Sequence, residues 1–255
     1  MKNYYIILLL LLSRLGSAQS NDAFAKATVA YNAADFPLAI KYYKEILSKG
    51  EHSAAVYYNL GNAYYKLNDV ANSIYFYEKG LLLKSDDEEI LNNLHFAQKM
   101  TLDAIGDAPR TKFQELYNNV LNSLTYDEWA YISIGGVILC VLFFLSYYYS
   151  TSSFRKKLFF IGCIVLILLS ITSLTLTNLN YNYHIHDAPA IVFSKEVPVV
   201  SEPNSTSNIV FTLHEGTKIS VLDALNNWNK IKLNNGDIGW LESKHLKLIK
   251  DFAVY

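Results

Sequence analysis

Two uninterrupted apolar runs constrain this 255-residue chain more than any other feature. From Trp129 to Tyr149, and again from Leu158 to Thr177, no charged side chain occurs. Each run is about twenty residues, long enough for an α-helix to cross the roughly 30 Å hydrocarbon core of a bilayer. The expected spans, 129–149 and 158–177, are joined by a loop over 150–157 that carries Arg155, Lys156 and Lys157. Short loops rich in Lys and Arg remain cytoplasmic. Both flanking segments are then expected outside the cytoplasm, on one face of the membrane. The N-terminus agrees: Lys2, an apolar run from Tyr4 to Leu12, and the small residues Gly16 and Ala18 form the pattern of a secretory signal peptide over 1–18.

The runs contain no Asp, Glu, Lys, Arg or His. Ion and proton pathways are marked by such groups, so anchoring is the simplest role for this hairpin. The Gly135-Gly136 pair is expected to permit close helix packing. Cys140 and Cys163 both lie within the runs and read as small packing residues, and the remaining segments hold no cysteine for a disulfide or a metal. No metal site or cofactor is expected.

The flanking segments are each the size of a small domain. Lys and Arg number 10 against 15 Asp and Glu over residues 19–128, and 7 against 8 over 178–255. Neither segment has the basic excess that nucleic-acid backbones require.

The first segment repeats itself. Ala27, Asp35, Ala39, Tyr43 and Leu47 correspond to Gly61, Asp69, Ser73, Tyr77 and Leu81 at a constant offset of 34 residues. Tyr57, Leu60, Gly61 and Tyr64, followed by Ser73, Tyr77 and Gly80, resemble the tetratricopeptide repeat, whose period is about 34. The expected fold over 19–108 is an α-helical solenoid of paired helices. Small residues at 61 and 73 let the two helices of a pair approach, Asp35 and Asp69 are expected to cap the second helices, and Pro37 fits a first turn. Ser85-Asp86-Asp87-Glu88 has a capping-box pattern and opens a third unit, a helix through Ile90, Leu91, Leu94 and Ala97. That helix is expected to terminate the stack.

Such repeats present a concave protein-binding surface. Its expected members are Phe24, Thr28, Tyr31, Tyr58, Asn59, Asn62, Tyr65 and Lys66, while Tyr57, Tyr64 and Tyr77 are expected in the core. Repeats of this family that clamp a terminal carboxylate do so with Lys and Arg. The corresponding places here hold Phe24, Thr28, Glu89 and Asn93, with only Asn59 matching. Over 109–128, Phe113, Leu116, Tyr117, Val120, Leu121 and Leu124 form one helical stripe. This predicts an amphipathic juxtamembrane helix docked on the repeats or on the bilayer. Thr125 to Glu128 gives a capping box for the first span, and Trp129 and Tyr131 suit a membrane interface.

After a linker over 178–189 the pattern becomes β. Strands are expected at 197–200, 209–211, 219–222, 228–233 and 238–241, with Asn234-Asn235-Gly236-Asp237 as a hairpin turn. Leu213 to Ile219, Trp228, and Gly236 to Leu241 resemble a bacterial SH3 domain, which implies a small all-β barrel over 190–250, followed by a tail at 251–255. Trp228 and Trp240 are the candidates for its ligand groove, with one of them expected in the core. His184 and His186 would share a strand face, but no further metal ligand accompanies them, and a solvated linker is the better reading.

The order of parts resembles the BatE family of the Bacteroides aerotolerance operon. The resemblance implies a bacterial inner-membrane scaffold with both soluble domains periplasmic. Its implied partners are membrane-anchored von Willebrand factor A-domain proteins and, indirectly, a MoxR-type AAA ATPase, in an envelope complex related to stress or aerotolerance. The competing expectation is a peptidoglycan-binding sensor or targeting protein. No nucleophile–base pair or phosphate loop is visible, so no enzymatic activity is expected.

Overall fold

The computed structural model describes residues 22–103, 105–106, 111–186 and 188–250; the signal-peptide segment 1–18 and the tail 251–255 lie outside the described residues. The chain forms two units, one from the two flanking segments together and the other from Ala108–Asp187.

In the first unit a helix over 22–32 (α1) is followed by Phe36–Ser48 (α2), Ala54–Lys66 (α3), Val70–Leu83 (α4) and Glu88–Gln98 (α5). The sequence repeat is also a repeat of turn geometry. Ala34 (φ 61°) and Asn68 (φ 58°), 34 positions apart, both adopt the left-handed conformation that ends a helix. The next residue in each turn donates its N–H back into the finished helix, Asp35 to the Ala30 carbonyl at 2.9 Å and Asp69 to that of Tyr64 at 3.0 Å. The same two aspartates then cap α2 and α4, accepting from the N–H groups of Leu38 and Asn72 at 3.1 Å each. α5 is capped by Asp87, which accepts from Glu89 and Ile90, rather than by Ser85. Asp87 immediately precedes the first helical residue, where a short carboxylate reaches the free N–H groups.

Helix pairing depends on small residues. A Cβ at Gly61 would lie 2.5 Å from the Tyr77 ring, so only glycine lets α3 and α4 meet there. Ser73 does more than save space, because its hydroxyl donates to the Gly61 carbonyl at 3.0 Å. Around this contact Tyr57, Leu60, Ile74 and Tyr77 are fully buried. Burial of side chains the size of Leu60 and Ile74 contributes about 1.5–3 kcal/mol each.

The C-terminal segment is a seven-stranded, wholly antiparallel sheet: Ala188–Val192 (β1), Glu196–Val200 (β2), Ile209–His214 (β3), Lys218–Leu225 (β4), Trp228–Lys232 (β5), Ile238–Glu242 (β6) and Leu246–Leu248 (β7). The order is β3-β2-β6-β5-β4-β1-β7. Among the described residues no ladder joins β3 to β7, so the expected barrel is present as an open sheet. Ala190, Val192, Val199, Ile219, Ile231 and Leu241 fill its core. Gly239 is required there, since a Cβ would overlap Val199.

Two boundaries differ from expectation. The supposed linker begins inside a helix that continues to His186, because nothing between 178 and 186 breaks a helix and the first proline is Pro189. Alternate positions of a helix do not share a face, which removes the strand argument for His184 and His186. β1 and β7, which the sequence reading did not include, complete the sheet.

The second unit contains Lys112–Leu121 (α6), Tyr126–Tyr149 (α7) and Ser153–His186 (α8). The connection between α7 and α8 is shorter than 150–157, as Arg155, Lys156 and Lys157 form the first turn of α8. The capping box at Thr125 is formed, with Glu128 accepting from the Thr125 N–H at 2.9 Å. Both α7 and residues Ser153–Asn182 of α8 are long and apolar enough to cross a membrane. They pair through small polar residues. The Ser133 hydroxyl donates to the Ser170 carbonyl at 3.1 Å, and that of Ser173 to the Trp129 carbonyl at 2.5 Å. Gly136 lies against Ser170, whereas Gly135 faces open space. The two cysteine thiols reach across to each other's carbonyl, at 3.8 and 3.6 Å, and are free.

Candidate functional site

The concave face of the repeats is shaped by α1, α3 and α5. Helical spacing on α3 places Tyr58, Asn62, Tyr65 and Lys66 on its inner side. These four join Tyr31 of α1 around a cavity of about 250 Å³, which Tyr77, Asn93 and Phe96 complete. A polar chain crosses its floor. The Tyr77 hydroxyl donates to Asn62 Oδ1 at 2.6 Å, and Asn93 Nδ2 donates to the same oxygen at 2.9 Å and to the Tyr58 hydroxyl at 3.2 Å. Burial pushes the Tyr77 phenol well above its ordinary value, so it stays a neutral donor. The walls are aromatic, the floor offers amide and phenol groups, and Lys66 places a cation on the rim. Such a surface suits a polypeptide segment, which needs both apolar contact and partners for its backbone.

Not every expected residue lies there. Phe24 packs edge-on against Tyr43 with ring centroids 5.5 Å apart, and the Thr28 hydroxyl lies 3.4 Å from the Tyr43 hydroxyl, so both serve the α1–α2 contact. Asn59 is half-buried and turns its amide to the Ala55 carbonyl at 2.8 Å. Asn93 and Phe96 belong to the cavity although they were not foreseen as groove members. The signal was the helical spacing of α5, which sets Asn93 and Phe96 one turn apart along one edge of the face that buries Ile90, Leu94 and Ala97.

The second surface is on the sheet. In the β5–β6 ladder Trp228 pairs with Glu242, and Lys230 with Trp240. Residues directly opposite each other share a face, so both tryptophans flank Lys230 on the side away from Ile231 and Leu241. Both are half-buried. Neither is in the core, which corrects the expectation that one would be: Ile231 and Leu241 already occupy the inward positions.

Elsewhere on the sheet, α4 packs against β1. β1 is buried on both faces, with Ala190 and Val192 in the sheet core while Ile191, together with Ile249, joins the core of the helices. Phe193 meets Tyr75 edge-on at 5.6 Å. Lys218, paired with Ile191 in the sheet, holds the Glu78 carboxylate through both oxygens at 2.8 and 2.7 Å. At the edge of this seam Asp103 accepts from the His214 N–H at 2.7 Å and from the Thr217 hydroxyl at 2.5 Å, and it pairs with His214 Nδ1 at 2.7 Å. Burial raises the Asp103 carboxyl, but the bonds from Thr217 and His214 outweigh it and hold the group below its ordinary value. Gly216 takes φ +87° at the seam, with no room for a Cβ between Thr101, Val70 and Ile74.

Residues 54–87 match the tetratricopeptide repeat family, and residues 196–247 match the bacterial SH3 domain family. No curated protein matches the chain. The two family matches point to protein–protein interaction for the repeats and to peptidoglycan or protein binding for the sheet.

Proposed function

We propose that the chain is a non-enzymatic, membrane-anchored adaptor whose repeat groove holds a segment of a partner protein. The observation that carries this reading is the cavity among Tyr31, Tyr58 and Tyr65, floored by the Asn62–Asn93–Tyr77 hydrogen bonds. The shared core of α4 and β1 supports a hairpin topology, because two segments that pack on each other must emerge on the same side of a bilayer. The charges of Arg155, Lys156 and Lys157 favour the cytoplasm for the connection between α7 and α8 and the periplasm for the first unit. In this reading the protein resides in a bacterial inner membrane and works as a BatE-like scaffold. Its partners would be von Willebrand factor A-domain membrane proteins, with a MoxR-type ATPase acting through them.

A second reading, recognition of peptidoglycan, is favoured by the outward position of both Trp228 and Trp240. One experiment separates the two. Detergent-solubilised full-length chain is used to capture partners, comparing wild type with Tyr58→Ala/Tyr65→Ala and with Trp228→Ala/Trp240→Ala. Loss of specific membrane-protein partners in the first variant alone supports the adaptor. Retention of the partners in that variant refutes the groove as their site. Binding to purified peptidoglycan that is lost only with the tryptophans supports the second reading.

A further inference from the structure

Among the described residues of its own unit, none covers the apolar stripe of α6. Phe113 is 77% exposed, Leu116 62%, Tyr117 42% and Val120 44%, while Leu121 at the end of the stripe is buried. The stripe begins only where the spans end. The Leu121 carbonyl accepts from Asn180 Nδ2 at 2.9 Å and from Trp129 Nε1 at 3.4 Å, and the Leu124 carbonyl accepts from Asn180 at 3.2 Å. Asn180 is itself buried. Tyr126 and Tyr181 meet edge-on at 5.8 Å beside it. The C-terminal end of α6 is therefore fixed among the Trp and Tyr side chains that close the apolar length of α7 and α8, at the level where such residues meet lipid headgroups. Its other turns make no packing against the hairpin that would bury the stripe.

We propose that α6 lies in the headgroup region of the membrane, with Phe113, Leu116, Tyr117 and Val120 inserted among the upper acyl chains. The inference rests on reading α7 and α8 as membrane spans. What points to lipid as occupant is continuity: the stripe is joined to the lipid-facing surface of α7 by the four residues 122–125, and the hydrogen bonds of Asn180 and Trp129 prevent its C-terminal end from leaving that level. Ten residues at 1.5 Å rise give a helix about 15 Å long, with its apolar side about 5–10 Å into the interface. The opposite side carries Gln114, Glu115, Asn118 and Asn119, and with Lys112 the helix has no net charge. Binding then depends on apolar insertion and is indifferent to anionic lipid.

The test uses the full chain in phosphatidylcholine vesicles whose acyl chains carry bromine, a contact quencher of tryptophan. The parent protein has Trp228 and Trp240 replaced by phenylalanine, which leaves Trp129 as reporter of the spans. Phe113→Trp and Glu115→Trp are compared with that parent. The added tryptophan at 113 is expected to be quenched at least about twofold more than that at 115, with no change when salt is raised. Equal quenching at the two positions overturns the proposal. Shielding of position 113 from a water-soluble quencher without any bromine quenching also overturns it, and shows that protein covers the stripe. Absence of bromine quenching of Trp129 in the parent refutes the membrane reading itself, a failure distinct from that of α6.

Discussion

Gly216 offers a direct test of the seam between the helical repeats and the sheet. Alanine there faces two costs. A left-handed backbone at φ +87° costs a residue with a Cβ about 1–2 kcal/mol. The new Cβ would also lie 2.9 Å from Thr101, 3.0 Å from Val70 and 3.2 Å from Ile74, and crowding of this kind in a packed region costs about 1–3 kcal/mol. Gly236, in the β5–β6 turn at φ +100°, has nothing near its absent Cβ and isolates the backbone cost alone. Gly216→Ala should therefore lose about 2–5 kcal/mol in all. It should exceed Gly236→Ala by about 1–3 kcal/mol. Urea denaturation of the detergent-solubilised full chain, followed by tryptophan fluorescence from the sheet, measures both. Equal losses in the two variants would refute the packing of Gly216 against α4, and with it the single unit.

Three further outcomes follow from the same contacts. Gly61→Ala drives a Cβ into the Tyr77 ring and should destabilise the repeats by about 1–3 kcal/mol, read as a lower urea midpoint. Because Asp103 is held below its ordinary value of 3.8, its contribution is present above that pH and lost as pH falls through the folded value. His245 is held below 6.5 by burial and by Lys244, so stability also declines just below pH 6.5; Asp103→Asn and His245→Gln should each flatten the corresponding part of a stability–pH curve. A double-mutant cycle on Glu78 and Lys218 should give a coupling of about 1 kcal/mol, and no coupling would place the two groups apart in solution.

The repeat period, the aspartate caps and the two long apolar helices were legible because each depends on local spacing. The seam was not read from the sequence, although its trace is there. At the offset of 34, Lys41, Lys44 and Glu45 of the first repeat correspond to Tyr75, Glu78 and Lys79 of the second. Tyr75, Glu78 and Lys79 are all buried, which leaves α4 enclosed on every side. A second helix of a repeat needs one apolar face, and Ile74-Tyr75-Phe76-Tyr77 supplies more than that. β1 was obscured by Ala188, Pro189 and Ala190, weak strand formers that fit only because α4 covers Ile191. Asn93 escaped because its role depends on Asn62 and Tyr58, more than thirty positions away. The outward side of Trp228 and Trp240 depended on the register of β5 against β6, which composition does not reveal.

The shared core of α4 and β1 joins parts of the chain that are synthesised on either side of the hairpin. During synthesis the repeats emerge first, with Val70, Ile74 and Tyr75 uncovered until the last seventy or so residues arrive. If the two apolar helices are read as a membrane hairpin, insertion of only one of them would place the sheet across the bilayer from α4, whose β1-facing side would then stay uncovered. On that reading, the core shared by α4 and β1 closes only in a chain whose two apolar helices have both inserted.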